Sequence, residues 1–160
     1  MIMSCLALDP ATSCGWAVTP EMSGVWDLSI RRDESGGMKL LRLEAKLNEI
    51  AVTLEGGKSP LKLVVFEAAR NAMPKMQGAL VHQAKLQAII ERWATAREID
   101  YKGYSPTEIK RFATGKGNSN KEAMLKGARS KFPGVAILDD NHADALWLLA
   151  LAARDFKFAL

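Results

Sequence analysis

Two cysteines, two histidines and an aromatic content of 7% are the scarcities of this 160-residue chain. Cys5 and Cys14 fall in no metal-ligand spacing, so reduced thiols are expected and a cysteine-built metal module is not. No apolar run reaches the roughly 18 residues that a membrane span requires. Met1 to Cys5 lacks the pattern of a signal peptide, and a cytoplasmic setting with no membrane partner is the expectation. Internal repeats and low-complexity tracts are absent as well, and no composition break marks a domain boundary. The expectation is therefore one domain over 1–160, long enough to bury a real core.

What is present is an ordinary globular balance, 48% hydrophobic and 25% charged, with a net charge of +4. The sequence pI near 9.1 suggests an anionic partner. The excess is concentrated. Lys102, Lys110, Arg111, Lys116, Lys121, Lys126, Arg129 and Lys131 face only Glu108 and Glu122 between positions 102 and 131. A solvated helical face explains such a run; contact with phosphates explains it more sharply.

The stretch from Ser4 to Val18 organises the rest. Ser4 to Leu8 is a short apolar run of the buried-strand type, and Asp9 ends it. Pro10, Ser13 and Gly15 supply turn chemistry. Strands are expected at 15–19 and 24–30, completing an antiparallel meander. Positions 38–54 carry Leu40, Leu41, Leu43, Leu47, Ile50 and Leu54 at helical spacing, stopped by Gly56-Gly57. Leu61 to Phe66 is a second buried-type strand, and it too ends in a carboxylate, Glu67. A loop with Arg70, Pro74 and Lys75 follows. A long amphipathic helix is expected over 79–99, with Leu80, Ala84, Ile89, Ile90 and Trp93 as core contacts.

A short strand at 101–104 leads to Ser105-Pro106-Thr107-Glu108, which has the form of a capping box with proline at the first helical position. Thr114 to Asn120 is a glycine-rich loop carrying Lys116 before a helix from about Lys121, a combination suited to an anion. It lacks the Gly-Lys-Ser/Thr pattern of a P-loop. Val135 to Leu138 reads as a short edge strand or an extended lead-in. The last helix starts within Asp139 to Asp144 and runs to about Phe156. Its acidic start suits the helix dipole, yet Asp144 lies one turn in, flanked by alanines on an otherwise buried helix. A carboxylate there requires a partner or a cation.

Asp9 and Glu67 ending two buried strands, with Asp144 on a buried helix, would meet if strands and helix pack together. Such charges repel, and hard divalent cations relieve them. Two metals in a carboxylate cluster are the arrangement for phosphodiester hydrolysis.

The meander followed by alternating helices and strands, with acids at those positions, resembles the RNase H-like nuclease fold, an α/β class with a mixed five-stranded sheet flanked by helices. Within it the chain looks most similar to the RuvC-type Holliday junction resolvases, especially shorter bacteriophage forms. Four segments carry the likeness: Leu8-Asp9-Pro-Ala-Thr-Ser-Cys-Gly15-Trp16, Val64-Val-Phe-Glu67, the stretch Lys110 to Lys121, and Ala143-Asp144-Ala-Leu146. The resemblance implies a homodimer that cuts opposed strands of a four-way DNA junction using Mg²⁺, with Mn²⁺ able to substitute. It implies Asp9, Glu67 and Asp144 as metal ligands and places Lys110 and Lys121 near the scissile phosphate, with Lys121 counted among the catalytic residues. Arg70, Lys75, Arg111 and Lys116 are further candidate DNA contacts.

Two departures stand out. The family's fourth ligand, Asp or His, lies three residues before the last aspartate, where this chain has Asn141. Asp140 reaches the same face at a four-residue spacing and is the expected fourth ligand, with Asn141 and His142 as alternatives. Arg70 also replaces the aromatic that follows the strand glutamate in bacterial enzymes, leaving Met73 or Met76 as the nearest apolar wedge. Two other readings exist: a non-catalytic branched-DNA-binding module of the same fold, and an actin-like ATP-binding domain suggested by the Asp9–Gly15 loop. The latter normally requires two such domains and adenosine-binding glycines. His82 reads as a surface or packing residue, and the four tryptophans as core, with Trp93 or Trp147 alternatively at a dimer face.

Overall fold

The computed structural model describes residues 4–69 and 78–160. Arg70, Met73, Lys75 and Met76 lie outside the described residues. The first strand, β1 (Ser4–Asp9), is buried along its whole length. It pairs antiparallel with β2 (Ser13–Ala17), which pairs antiparallel with β3 (Ser23–Asp27). On its other side β1 runs parallel to β4 (Leu61–Glu67), and β4 parallel to β5 (Asp100–Tyr104). The sheet order is β3-β2-β1-β4-β5, the mixed five-stranded sheet the sequence suggests.

Alternation along the central strands separates two cores. Cys5, Ala7, Leu63 and Val65 face α3 (Pro106–Thr114), α4 (Lys121–Lys131) and α5 (Asp140–Phe156). Leu6, Leu8, Val64 and Phe66 face α1 (Gly37–Gly56) and α2 (Ala79–Ala96). The unbroken apolar runs of β1 and β4 are thereby explained, since both faces are covered by helices. Helix α5 is the main support of the first layer, with Ala145 to Ala152 all buried. Each large apolar side chain removed from water there contributes about 2 kcal/mol.

Local signals are obeyed at the helix ends. Ser105 and Glu108 form a reciprocal capping box with Pro106 in the first turn of α3. Asn120 caps α4 through Ala123 N–H, and Asp139 caps α5 through His142 N–H. Gly57 closes α1, where the glycine pair is expected to stop it.

Several expectations are corrected. Of the two alternatives for Val135 to Leu138, the edge strand is absent and the lead-in to α5 remains, with Ile137 buried in the core and Val135 packed partly against it. β3 ends at Asp27, and Ile30 is exposed. Leu41 is 57% exposed, because α1 buries the stripe Leu43, Leu47, Ile50 and Leu54 instead. On α2 the buried stripe is Leu86, Ile90, Trp93 and Ala94, and Ala84 faces solvent. In both helices the period is right and its rotational phase, which packing sets, differs. Trp93 and Trp147 are core residues of this chain, their indole N–H groups donating to Asn48 and to the Met124 carbonyl.

Candidate active site

Asp9 and Glu67 come together because their strands are parallel neighbours. Leu8 pairs with Phe66, so the next position of each strand places a carboxylate at the same end of the sheet. That end, beyond the carboxyl termini of parallel strands, is where open α/β sheets bind ligands. Helix α5 crosses β1 and β2, bringing Asp140 and Asp144 to the same place, one helical turn apart on one face. The four carboxylates border one cleft of about 940 Å³.

Their electrostatics are those of crowded like charges. Burial, then the nearby Glu67 and Asp144 carboxylates, hold the Asp9 carboxyl well above its ordinary value, and Asp9 hydrogen-bonds to Glu67. Asp144 is pushed up to about 7 by burial and by Glu67 and Asp140, against the opposing pull of Lys110 and Lys121. Lys121 Nζ stands 3.4 Å from Asp140 Oδ2. Across the cleft, the Gln83 amide of α2 reaches both the backbone carbonyl and Oε2 of Glu67, each at 3.4 Å. Gln87 accepts a hydrogen bond from Ala69 N–H at 2.8 Å, tying the chain just after Glu67 to the same helix.

The donor set fits hard divalent cations, being entirely carboxylate oxygen. Among the described residues no three His, Cys, Asp or Glu groups are arranged to hold a single ion. A hydrogen bond between Asp9 and Glu67, and Lys121 at Asp140, offset the repulsion instead.

His142 is excluded from the donor set. Its ring is buried and hydrogen-bonded at both nitrogens, by Leu138 N–H at Nδ1 and to Ser23 Oγ at Nε2. Burial lowers its pKa, partly opposed by Asp139. Asn141 borders the cleft beside Asp140, and its backbone carbonyl packs against Gly15.

The basic residues divide. Lys110 and Lys121 border the cleft. Arg111, one residue along α3, faces a separate depression with Tyr104 and Asp155. Lys116 is exposed and is not among the residues that border the cleft; its loop is tied to the cleft wall by Ser119, which shares a hydrogen bond with Thr114 and donates from Oγ to the Lys116 carbonyl at 2.8 Å. Sequence reading missed three features. His82 borders the cleft from α2, Gln83 contacts Glu67, and Lys39 donates to Thr12 Oγ1 at 2.8 Å on the cleft's rim. Polar residues spaced along a helix signalled the first two, without saying which faced the site.

No family model matches the chain. A crossover junction endodeoxyribonuclease RuvC from Brachyspira hyodysenteriae (strain ATCC 49526 / WA1) is 25% identical over 164 aligned positions, covering 98% of both chains. The chain is thus similar to RuvC along nearly its whole length. The structure of Thermus thermophilus RuvC superposes with a TM-score of 0.68 at 19% identity, covering 96% of this chain and 97% of that one. T. thermophilus RuvC in complex with Holliday junction substrate gives the same TM-score and identity over 97% of this chain and 94% of that one. The shared architecture is the RNase H-like fold of RuvC.

Proposed function

We propose that the protein is a divalent-metal-dependent endonuclease that resolves Holliday junctions or related branched DNA. The observation that carries this reading is the convergence of Asp9, Glu67, Asp140 and Asp144 in one cleft flanked by Lys110 and Lys121. RuvC homology over nearly the whole chain supports it.

Asp9, Glu67, Asp140 and Asp144 would hold the cations, with Mg²⁺ the expected ion and Mn²⁺ its substitute. Bound there, such ions supply an activated water at neutral pH and stabilise the departing oxygen of a phosphodiester. The chain's own residues make that chemistry accessible. An acidic cleft repels a phosphate, and Lys110 and Lys121 counter this from its border, with Lys121 placed to neutralise charge beside Asp140. Asp9, buried at the cleft floor, fixes the deepest donor, and Gln83 orients Glu67. Lys39 and His82 offer further contacts around the opening.

Cutting two opposed strands requires two such clefts, so a homodimer acting in a bacterial cytoplasm, encoded by host or phage, is part of the proposal. Sedimentation of the purified chain tests the dimer. A non-catalytic DNA-binding module would be favoured by Asn141 at the family's fourth-ligand position. Asp140, one residue earlier and bordering the same cleft, supports the catalytic reading over that one.

The test of the site is Asp9→Asn. The variant should bind a labelled four-way junction with near wild-type affinity and cut it at least 100-fold more slowly. Undiminished cutting by that variant would overturn the assignment.

A further inference from the structure

The histidine that is not a ligand has a defined place in this site. We propose that His142 is a positioning residue whose imidazole locks the rotation of α5, so that Asp140 and Asp144 face Asp9 across the cleft. The inference rests on the functional reading above and concerns how that site is held in register.

The hydrogen bonds form a chain with a single direction. Leu138 N–H can only donate, and it meets Nδ1 at 3.0 Å, so Nδ1 is the acceptor nitrogen. A neutral imidazole then carries its proton on Nε2, which donates to Ser23 Oγ at 2.8 Å. The Ser23 hydroxyl in turn donates to the Pro20 carbonyl at 2.8 Å. Backbone groups end the chain on both sides. One lies in the lead-in to α5 and the other in the turn between β2 and β3.

Helical geometry turns this into a statement about the ligands. At about 100° per residue, positions 140 and 144 lie about 40° apart, and 142 lies about 160° from each. Pinning His142 to the hairpin therefore aims Asp140 and Asp144 at the opposite side. Two further contacts act with it. Asp139 Oδ1 accepts from His142 N–H at 2.8 Å, while its Oδ2 accepts from Ser13 Oγ at 3.4 Å. Gly15 lets α5 approach β2, since a Cβ there would fall 1.9 Å from the Asn141 carbonyl oxygen. Imidazole suits the post because it is rigid, with an acceptor and a donor on separate edges. A glutamine side chain can reach Ser23 only, and alanine makes neither bond.

The experiment is calorimetric titration of the chelator-treated full chain with Mn²⁺, alongside thermal unfolding of each variant. His142→Ala should weaken Mn²⁺ binding about tenfold or more, the range found when a ligand's supporting hydrogen bonds are lost. His142→Gln should recover part of that loss. Phe132→Leu, which loosens the same core remote from the cleft, should lower the melting temperature and leave Mn²⁺ affinity unchanged. Ser23→Ala keeps the imidazole and its packing, and it should weaken Mn²⁺ binding about threefold; it decides the matter if His142→Ala does not fold.

Wild-type Mn²⁺ affinity in folded His142→Ala, or in Ser23→Ala when His142→Ala fails to fold, would overturn the proposal while leaving the site intact. Equal weakening in Phe132→Leu would also overturn it, reducing His142 to general stability. A wild-type chain that takes up no Mn²⁺ overturns the functional reading itself, and this proposal with it.

Discussion

The ammonium of Lys121, at the start of α4, stands 3.4 Å from Oδ2 of Asp140, at the start of α5. Two helix N-termini thus bring a cation and a carboxylate together at the cleft's border. Lys121 is 87% exposed, so the pair adds little to stability. Its value lies with a phosphate. Lys121→Gln should cut junction cleavage about tenfold, reduce the magnitude of the log-log salt slope of binding by about one, and shift the melting temperature by less than about 2 °C. Cleavage rates, binding across a salt series and a melting curve check the three parts.

Asp140 and Asn141 make different predictions as the fourth ligand. Asp140→Asn should slow cleavage by more than about 100-fold and weaken Mn²⁺ binding, whereas Asn141→Ala should stay within about threefold of wild type. Side-by-side titration and cleavage assays decide between them, and the reverse ranking would move the ligand to Asn141.

The pH dependence follows from Asp144. Its carboxyl titrates near 7 in the fold against an ordinary 3.8, so the folded metal-free chain holds a proton that the unfolded chain has released. Stability from this group is present at low pH and declines as pH rises from about 4 to about 7. Asp144→Asn should flatten that decline and raise the melting temperature of the chelator-treated protein near pH 7.5. Added divalent cation should stabilise wild type more than the variant. Melting curves at pH 5, 6 and 7.5, with and without metal, measure both effects.

Gly15 is predicted to tolerate no side chain. A Cβ would meet backbone rather than a yielding side chain, so α5 or β2 must move. Gly15→Ala should cost about 1–3 kcal/mol and, by displacing the start of α5, lower cleavage more than stability alone explains. Denaturant unfolding and a cleavage assay at a temperature where the variant is fully folded separate these effects.

Much of the site was legible because its carboxylates sit where local patterns end. Asp9 and Glu67 close unbroken apolar runs, and Asp144 interrupts a buried helix. The Ser105–Glu108 capping box was equally local. What stayed hidden depends on rotation and distance. Leu41 and Ala84 fit the helical period but fall outside the buried stripes that the sheet selects. Arg111 adjoins Lys110, yet one residue on a helix turns it to another face. The roles of Asp140 and His142 could not be divided by spacing, because the contact that orients α5 comes from Ser23, 119 residues away. Lys39 and Gln83 reach the site from helices whose sequence gives no hint of which polar face meets it.

The most direct test of the account is incubation of the purified chain with a labelled synthetic four-way junction, a fork and a linear duplex, in chelator, Mg²⁺ or Mn²⁺. The account predicts paired, symmetric nicks on the junction in the presence of divalent metal, little cutting of linear duplex, and none in chelator. Binding of the junction without cleavage in either metal would contradict it.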